Sequence, residues 1–246
     1  MTALRALRLD RMTEPCGSLW IELNGIEAAL RCSGALWLPD EGALIAADLH
    51  LEKGSAYAMR GQLLPPYDTA DTLGRLEAEV AALTPRTLIL LGDSFHDVHA
   101  IGRLAPEDAR RIAALAQGRA LVWAEGNHDA TLLGETATTL PGEIADEVRI
   151  AGLILRHEPT PGPAPGEVAG HLHPCAKIVR AGASVRRRAF LTDGSRLILP
   201  AFGAYAGGLN VRDPAFASLF ARPPLAAALG QQRVYPLLWE SLSGGA

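Results

Sequence analysis

Residues 43–50 read ALIAADLH. Up to its acid the run is continuously apolar rather than alternating, the pattern of a strand buried on both faces. It delivers Asp48 and His50 at its end. Two more runs repeat the device: TLILLGD at 87–93 ends on Asp93, and ALVWAEGNHD at 120–129 ends on Asn127 and His128. Between them, Leu73, Leu76, Val80 and Leu83 recur at helical spacing from about Thr69 until Pro85 stops them. Pro106 to Gln117 predicts a second helix, with Pro near its start and Gly118 just past its end. Strand, helix, strand, helix, strand is an α/β core, and ligands of such sheets bind at the carboxyl ends of strands.

The flanks add more strands. IELNGIEAAL reads as a hairpin turning at Asn24-Gly25, and ALWLPDEGALIAADL as a second one turning at residues 39–42. Residues 54–67, with Gly54, Gly61 and Pro65-Pro66, predict a loop or a short irregular helix. After residue 147 the pattern changes to short β runs, VRIAGLILRH, VAGHLHP, AKIVRAG, VRRRAFLT and SRLILPAFG. They predict a second, mostly antiparallel sheet packed on the first. No linker divides them, so one domain is expected over 18–246, preceded by a disordered segment at 1–17.

Composition bounds the function. The chain has 246 residues, 48% hydrophobic and 20% charged, with net charge −4. That balance argues against gripping nucleic acid by bulk electrostatics alone. Cys16, Cys32 and Cys175 form neither a disulfide framework nor a CxxC zinc site, which points to a reducing compartment. Cys175, two residues past His173, is expected to be a small buried side chain. Arg5, Arg8 and Arg11 lack the apolar core of a signal peptide, and no run approaches the roughly 20 apolar residues of a membrane helix. A cytoplasmic protein with no membrane partner is expected.

The polar strings carry the chemistry. Asp48, His50, Asp93, Asn127, His157, His171 and His173 offer carboxylate, imidazole and amide donors, the set that hard or borderline divalent cations take. On a strand, Asp48 and His50 project to one side, and so do His171 and His173. Asp93 can present both oxygens and so bridge two cations. Two ions about 3.5–4 Å apart hold a bridging water, lower its pKa and fix a phosphoryl group for in-line attack. His128 remains as a non-ligand beside the substrate, suited to protonate the leaving oxygen, with Asp129 placed to orient it. His96 and His99 follow Asp93 on a loop, where a substrate contact by His96 competes with a solvated polar loop. Arg60 fits a phosphate oxygen or a mobile surface. Arg186-Arg187-Arg188 fits DNA contact or the defended edge of a sheet. The glycines of GAYAGGLN at 203–210 suit a tight turn near the metals.

DLH, GD, GNHD, a separate His and GHLH, in this order over residues 43–203, resemble the calcineurin-like metallophosphoesterases. The resemblance implies a four-layer αββα sandwich of two mixed β-sheets flanked by helices. It implies one metal on Asp48, His50, Asp93 and His173, a second on Asp93, Asn127, His157 and His171, and a catalytic His128. DLHLEKGSAYAMRGQLLPPYDT, GDSFHD and LPAFGAYAGGLNV further resemble the bacterial ligase-associated DNA damage response endonuclease (PdeM) branch. That resemblance implies phosphodiester cleavage and functional association with a DNA ligase and helicase repair set. Glu158 after His157 departs from many relatives, which have Gly there. The expected function is therefore a dinuclear phosphodiesterase, a DNA endonuclease linked to repair. Its cofactors would be two divalent metal ions, Mn2+ first, with Zn2+ or Fe2+ fitting the same donors. A small-molecule nucleotide phosphohydrolase or a protein phosphatase would use the same site. A non-catalytic scaffold would have lost some of these donors.

Overall fold

The computed structural model describes Leu7, residues 17–126 and residues 140–244. The expected disorder of 1–17 thus falls almost wholly outside the described residues, although Leu7 bridges to Ile21. Asn127, His128 and Asp129 lie outside them too.

The first sheet has seven strands in chain order: β1 (Leu19–Leu23), β2 (Ile26–Leu30), β3 (Leu36–Leu38), β4 (Ala43–Ala47), β5 (Thr87–Leu91), β6 (Ala120–Ala124) and β7 (Glu143–Ala145). Its first three pairings are antiparallel and its last three parallel. Asn24 and Gly25 turn the first hairpin with φ of 48° and 84°, as a two-residue turn between twisted strands requires. The parallel half explains the unbroken apolar runs. In β4, Ala43, Ile45 and Ala47 face the core between the sheets, while Leu44 and Ala46 face the helix layer. Both faces are dry, so neither can be polar.

The second sheet runs β15 (Val234–Leu237), β14 (Leu225–Leu229), β12 (Ala183–Thr192), β13 (Leu197–Ile198), β10 (Glu167–Ala169), β9 (Leu153–Arg156), β8 (Val148–Ile150), and β11 (Cys175–Arg180) pairs with β12 off that path. It is mostly antiparallel, as the short β runs predict, except that β10 lies parallel to both β9 and β13. Helices α2 (Asp68–Leu83) and α4 (Pro106–Leu115), with the short α1 (Lys53–Met59) and α3 (Ala100–Arg103), cover the first sheet. Over the second sheet, the outer layer among the described residues is two single 3-10 turns, Pro214–Phe216 and Trp239–Ser241, and their connecting loops. Phe216, Leu219 and Leu242 from that layer cover Ala189, Leu191, Ala226 and Ala228. The small residues of the strands are what let a thin layer of loop lie flat on the sheet.

Residues 54–67 divide in two. Gly54, an unpromising helix residue, opens α1 because its N–H donates to the Asp68 carboxylate at 2.9 Å. A Cβ there would lie 2.5 Å from Asp68 Oδ1. The chain is then exposed from Ala58 to Tyr67.

The second sheet also buries one guanidinium. Arg196 is 1% exposed, and its donors reach the Glu167 carboxylate and the backbone carbonyls of Thr160, Gly162 and Leu219. Removing one member of such a pair strands the other charge away from water. Arg196→Leu should therefore cost about 3–5 kcal/mol in a denaturant melt. A change under about 1 kcal/mol, the size of an exposed pair, would show that the network adds nothing.

Candidate metal centre

Four strands carry the donors among the described residues. β4 and β5 are parallel neighbours in the first sheet, and β9 and β10 are parallel neighbours in the second. Asp48 follows β4, Asp93 follows β5, His157 follows β9, and His171 and His173 follow β10. The centre is therefore built from both sheets.

The ligand strings are not strands, and that corrects the periodicity argument. Asp48, His50, Asp93, His171 and His173 all have left-handed backbone, with φ between 43° and 67°. A non-glycine residue pays roughly 1–3 kcal/mol there. Asp and His tolerate the region better than most, so the ligand chemistry and the backbone select the same residues. The kinks are held by the continued pairing of the two loops. His50 N–H donates to Asp93 O at 2.9 Å, Leu51 N–H to Ser94 O at 2.9 Å and His96 N–H to Leu51 O at 2.9 Å.

Because of the kinks, His171 and His173 do not share a face. The His173 ring meets His50, Nε2 to Nε2 at 3.3 Å, and its Nε2 lies 3.2 Å from Asp48 Oδ1. The His171 ring instead meets His157, Nδ1 to Nε2 at 3.1 Å, while His157 Nε2 lies 3.5 Å from Asp93 Oδ1. Asp48, His50 and His173 thus converge as one potential metal-holding group, and Asp48, Asp93 and His157 as another. Asp48 reaches both, whereas the residue pattern assigns the bridging role to Asp93. Asp48 is fully buried and accepts the His171 N–H on both oxygens, at 3.2 and 3.0 Å.

The donors fit a cation. Burial pushes the His50 imidazole down to about 3, a shift that Asp48 opposes and that His173 and Lys53 reinforce. The ring is neutral at physiological pH and presents a lone pair without competition from a proton. Two imidazole nitrogens and a carboxylate oxygen converge on one spot, a donor set that suits a divalent cation. Nδ1 of His50 and Nδ1 of His157 are also buried, with no hydrogen-bond partner among the described residues.

Three glycines make the convergence possible. A Cβ at Gly92 would lie 2.1 Å from His157 Nδ1, at Gly126 2.6 Å from Asp93 Oδ1, and at Gly170 2.4 Å from Asp48 Oδ2. Each sits one residue before a donor string and packs on a donor from a different string. The glycine is visible in GD, GNHD and GHLH, but its partner is not.

Other expected residues are less central. His96 is half-buried and edge-on to His50, with ring centroids 6.0 Å apart. His99 is exposed. Arg60 ends α1 in the exposed stretch, and no contact among the described residues brings it to the donors. Cys175 is buried, and burial raises its thiol above the ordinary value, so it is an inert packing residue.

Two supports had no signal in the sequence. Arg188 donates to the carbonyls of Ala201, Phe202 and Gly203, and Arg75 donates to Phe202 O from the helix layer. The clamped loop returns the hold on the site, because Gly203 N–H donates to Asp48 O at 3.1 Å. Glu52 is the second support. It is buried, accepts from Ser55 and Thr69 side chains, and fixes α1 against α2 beside the DLH string.

No protein-family model matches the sequence, and no curated protein does. Solved structures do. The Pseudomonas putida nuclease MPE is 30% identical, with a TM-score of 0.68 over 89% of this chain and 100% of that one. A looser likeness, with a TM-score of 0.40 at 15% identity, is to YfcE, a phosphoesterase from E. coli, over 80% of this chain and 98% of that one. With its donor strings at the strand ends of a two-sheet sandwich, and with this identity over the nuclease's full length, the chain belongs to the calcineurin-like metallophosphoesterases.

Proposed function

We propose that this protein is a dinuclear metal-dependent phosphodiesterase that cuts nucleic acid, DNA first among its substrates. The observation that carries the reading is the convergence of buried and half-buried donors from both sheets into two adjoining groups. The nucleic-acid substrate is supported by the likeness to the Pseudomonas putida nuclease. Association with a ligase and helicase repair set rests on the resemblance of the DLHLEKGSAYAMRGQLLPPYDT, GDSFHD and LPAFGAYAGGLNV strings.

Asp48, His50 and His173 would hold one cation, and Asp93, His157 and His171, joined by Asn127, the other; the family resemblance has Asp93 serve both, whereas the structure puts Asp48 within reach of both groups. Mn2+ suits this mixture of imidazole and oxygen donors. Bound cations supply Lewis acidity toward the phosphoryl oxygens and bring the pKa of a water toward neutrality. The chain's own contribution is placement. The glycine contacts and the paired loops hold the donors before any cation arrives, so little reorganisation is needed on binding. His128, two residues past Gly126, would protonate the leaving oxygen, and Asp129 would orient its ring. His96, beside His50, would lie along the substrate.

Chelation with EDTA should abolish hydrolysis of a phosphodiester, and Mn2+ should restore it. Activity that survives chelation would rule the reading out. Oligonucleotide cleavage should exceed turnover of cyclic or mononucleotides; the reverse order would make the protein a small-molecule phosphohydrolase. Metal content separates the two carboxylates. Asp93→Asn should lose both cations and Asp48→Asn only one, and the opposite result would make Asp48 the bridge. His128→Ala should keep its metals while kcat falls roughly 100-fold or more on substrates with poor leaving groups. Loss of metal from that variant would make His128 a ligand.

A further inference from the structure

The hairpin β11–β12 concentrates positive charge in a chain whose net charge is −4. Lys177, Arg180, Arg186, Arg187 and Arg188 fall within residues 175–192, which contain no acid. The register sets Lys177 directly opposite Arg186, so two cations stand side by side on one face. Like charges in such cross-strand pairs are destabilising.

The face matters. Arg186 and Arg188 alternate with Arg187, and Arg188 is taken by the loop carbonyls at 201–203. Arg186 is exposed and donates to Gly208 O. Together with Gly208, Leu209, Asn210, Arg212, Asp213 and Pro214 it lines a recess of about 430 Å3. Arg212, also in the lining, is held by Trp239, its guanidinium 4.1 Å over the ring and donating to Trp239 O at 2.5 Å. The inner wall adjoins the metal centre. Leu209 N–H donates to Leu172 O, between His171 and His173, and Gly208 packs so closely on the His173 carbonyl that a Cβ would lie 2.1 Å from it.

We propose that this recess, lined by Arg186 and Arg212 and with Lys177 paired across the strands from Arg186, holds the sugar–phosphate backbone of the nucleic-acid strand flanking the bond to be cut. Guanidinium forks match phosphate oxygens, and phosphate contacts fix a strand's register without reading its bases. The recess thereby gives an acidic protein a local grip on a polyanion. It also gives the site a preference for a chain of phosphodiesters over a single one. The inference rests on the nuclease reading and deepens it.

The test measures binding and cleavage separately. Anisotropy of a fluorescein-labelled single-stranded DNA oligonucleotide, in EDTA and across a salt series, reads binding without turnover. Cleavage of that oligonucleotide and of bis-p-nitrophenyl phosphate, both with Mn2+, reads the chemistry. The double variant Lys177→Gln/Arg186→Gln should weaken oligonucleotide binding about tenfold and flatten the slope of log K against log salt by roughly 1.4, two contacts' worth. It should turn over bis-p-nitrophenyl phosphate as the unaltered protein does. Arg187→Gln, on the other face of β12, should bind the strand like the unaltered protein.

Unchanged affinity and slope in the double variant would overturn the proposal, and so would an equal loss from Arg187→Gln. Equal loss on both substrates would make Arg186 a support of the 203–210 loop and overturn it as well. Displacement of the strand by polyglutamate as readily as by unlabelled DNA would make the recess a site for acidic polypeptide. An unaltered protein that binds the strand through these residues but never cuts it would sink the nuclease reading and leave the recess standing.

Discussion

The contact on which the site depends most is between the buried Asp48 carboxylate and the backbone of His171. Asp48 closes the first sheet's central strand and His171 opens the ligand loop of the second. The N–H donated to both carboxylate oxygens sets the distance between the two sheets at their shared edge. Gly170 lies against the same carboxylate with no room for a Cβ. A donor pair spanning two sheets could drift by the width of a side chain. One charge-assisted hydrogen bond and one missing methyl prevent it. Sheet packing, loop kinks and imidazole placement are all arranged around that fixed point.

The same residues serve structure and chemistry, which is why so much was legible. A long apolar run that stops on Asp or His is informative because strand burial forbids the acid any earlier and cation binding requires it there. The layer order followed from the same logic, since β4 and β5 are dry on both faces and need a cover on each side. The donor strings were legible as strings, and the structure brings Asp48, His50, Asp93, His157 and His173 into two groups that could hold a metal ion, with His96 beside His50 and His99 exposed.

What could not be read has a common cause, which is backbone geometry without a residue signature. Period-2 reasoning put His171 and His173 on one face because it assumed a strand, and a left-handed residue breaks the period. Residues 54–67 read as a loop or a short irregular helix, and what decides for the seven-residue α1 is a Gly54 contact with a carboxylate fourteen residues away. Arg75 and Arg188 each bind carbonyls, and carbonyls are present at every position, so nothing marks which ones will be chosen. Likewise, small residues in β12 and β14 do not announce whether a helix or a flat loop will cover them.

A centre drawn from two sheets couples cation occupancy to the cohesion of the sandwich. The first sheet contributes Asp48, His50 and Asp93, and the second contributes His157, His171 and His173. An ion seated among them would tie the two sheets together at the edge where those strands end. Part of its binding free energy would then be folding free energy, shared between the layers. Metal supply would set how long the protein endures as well as how fast it turns over.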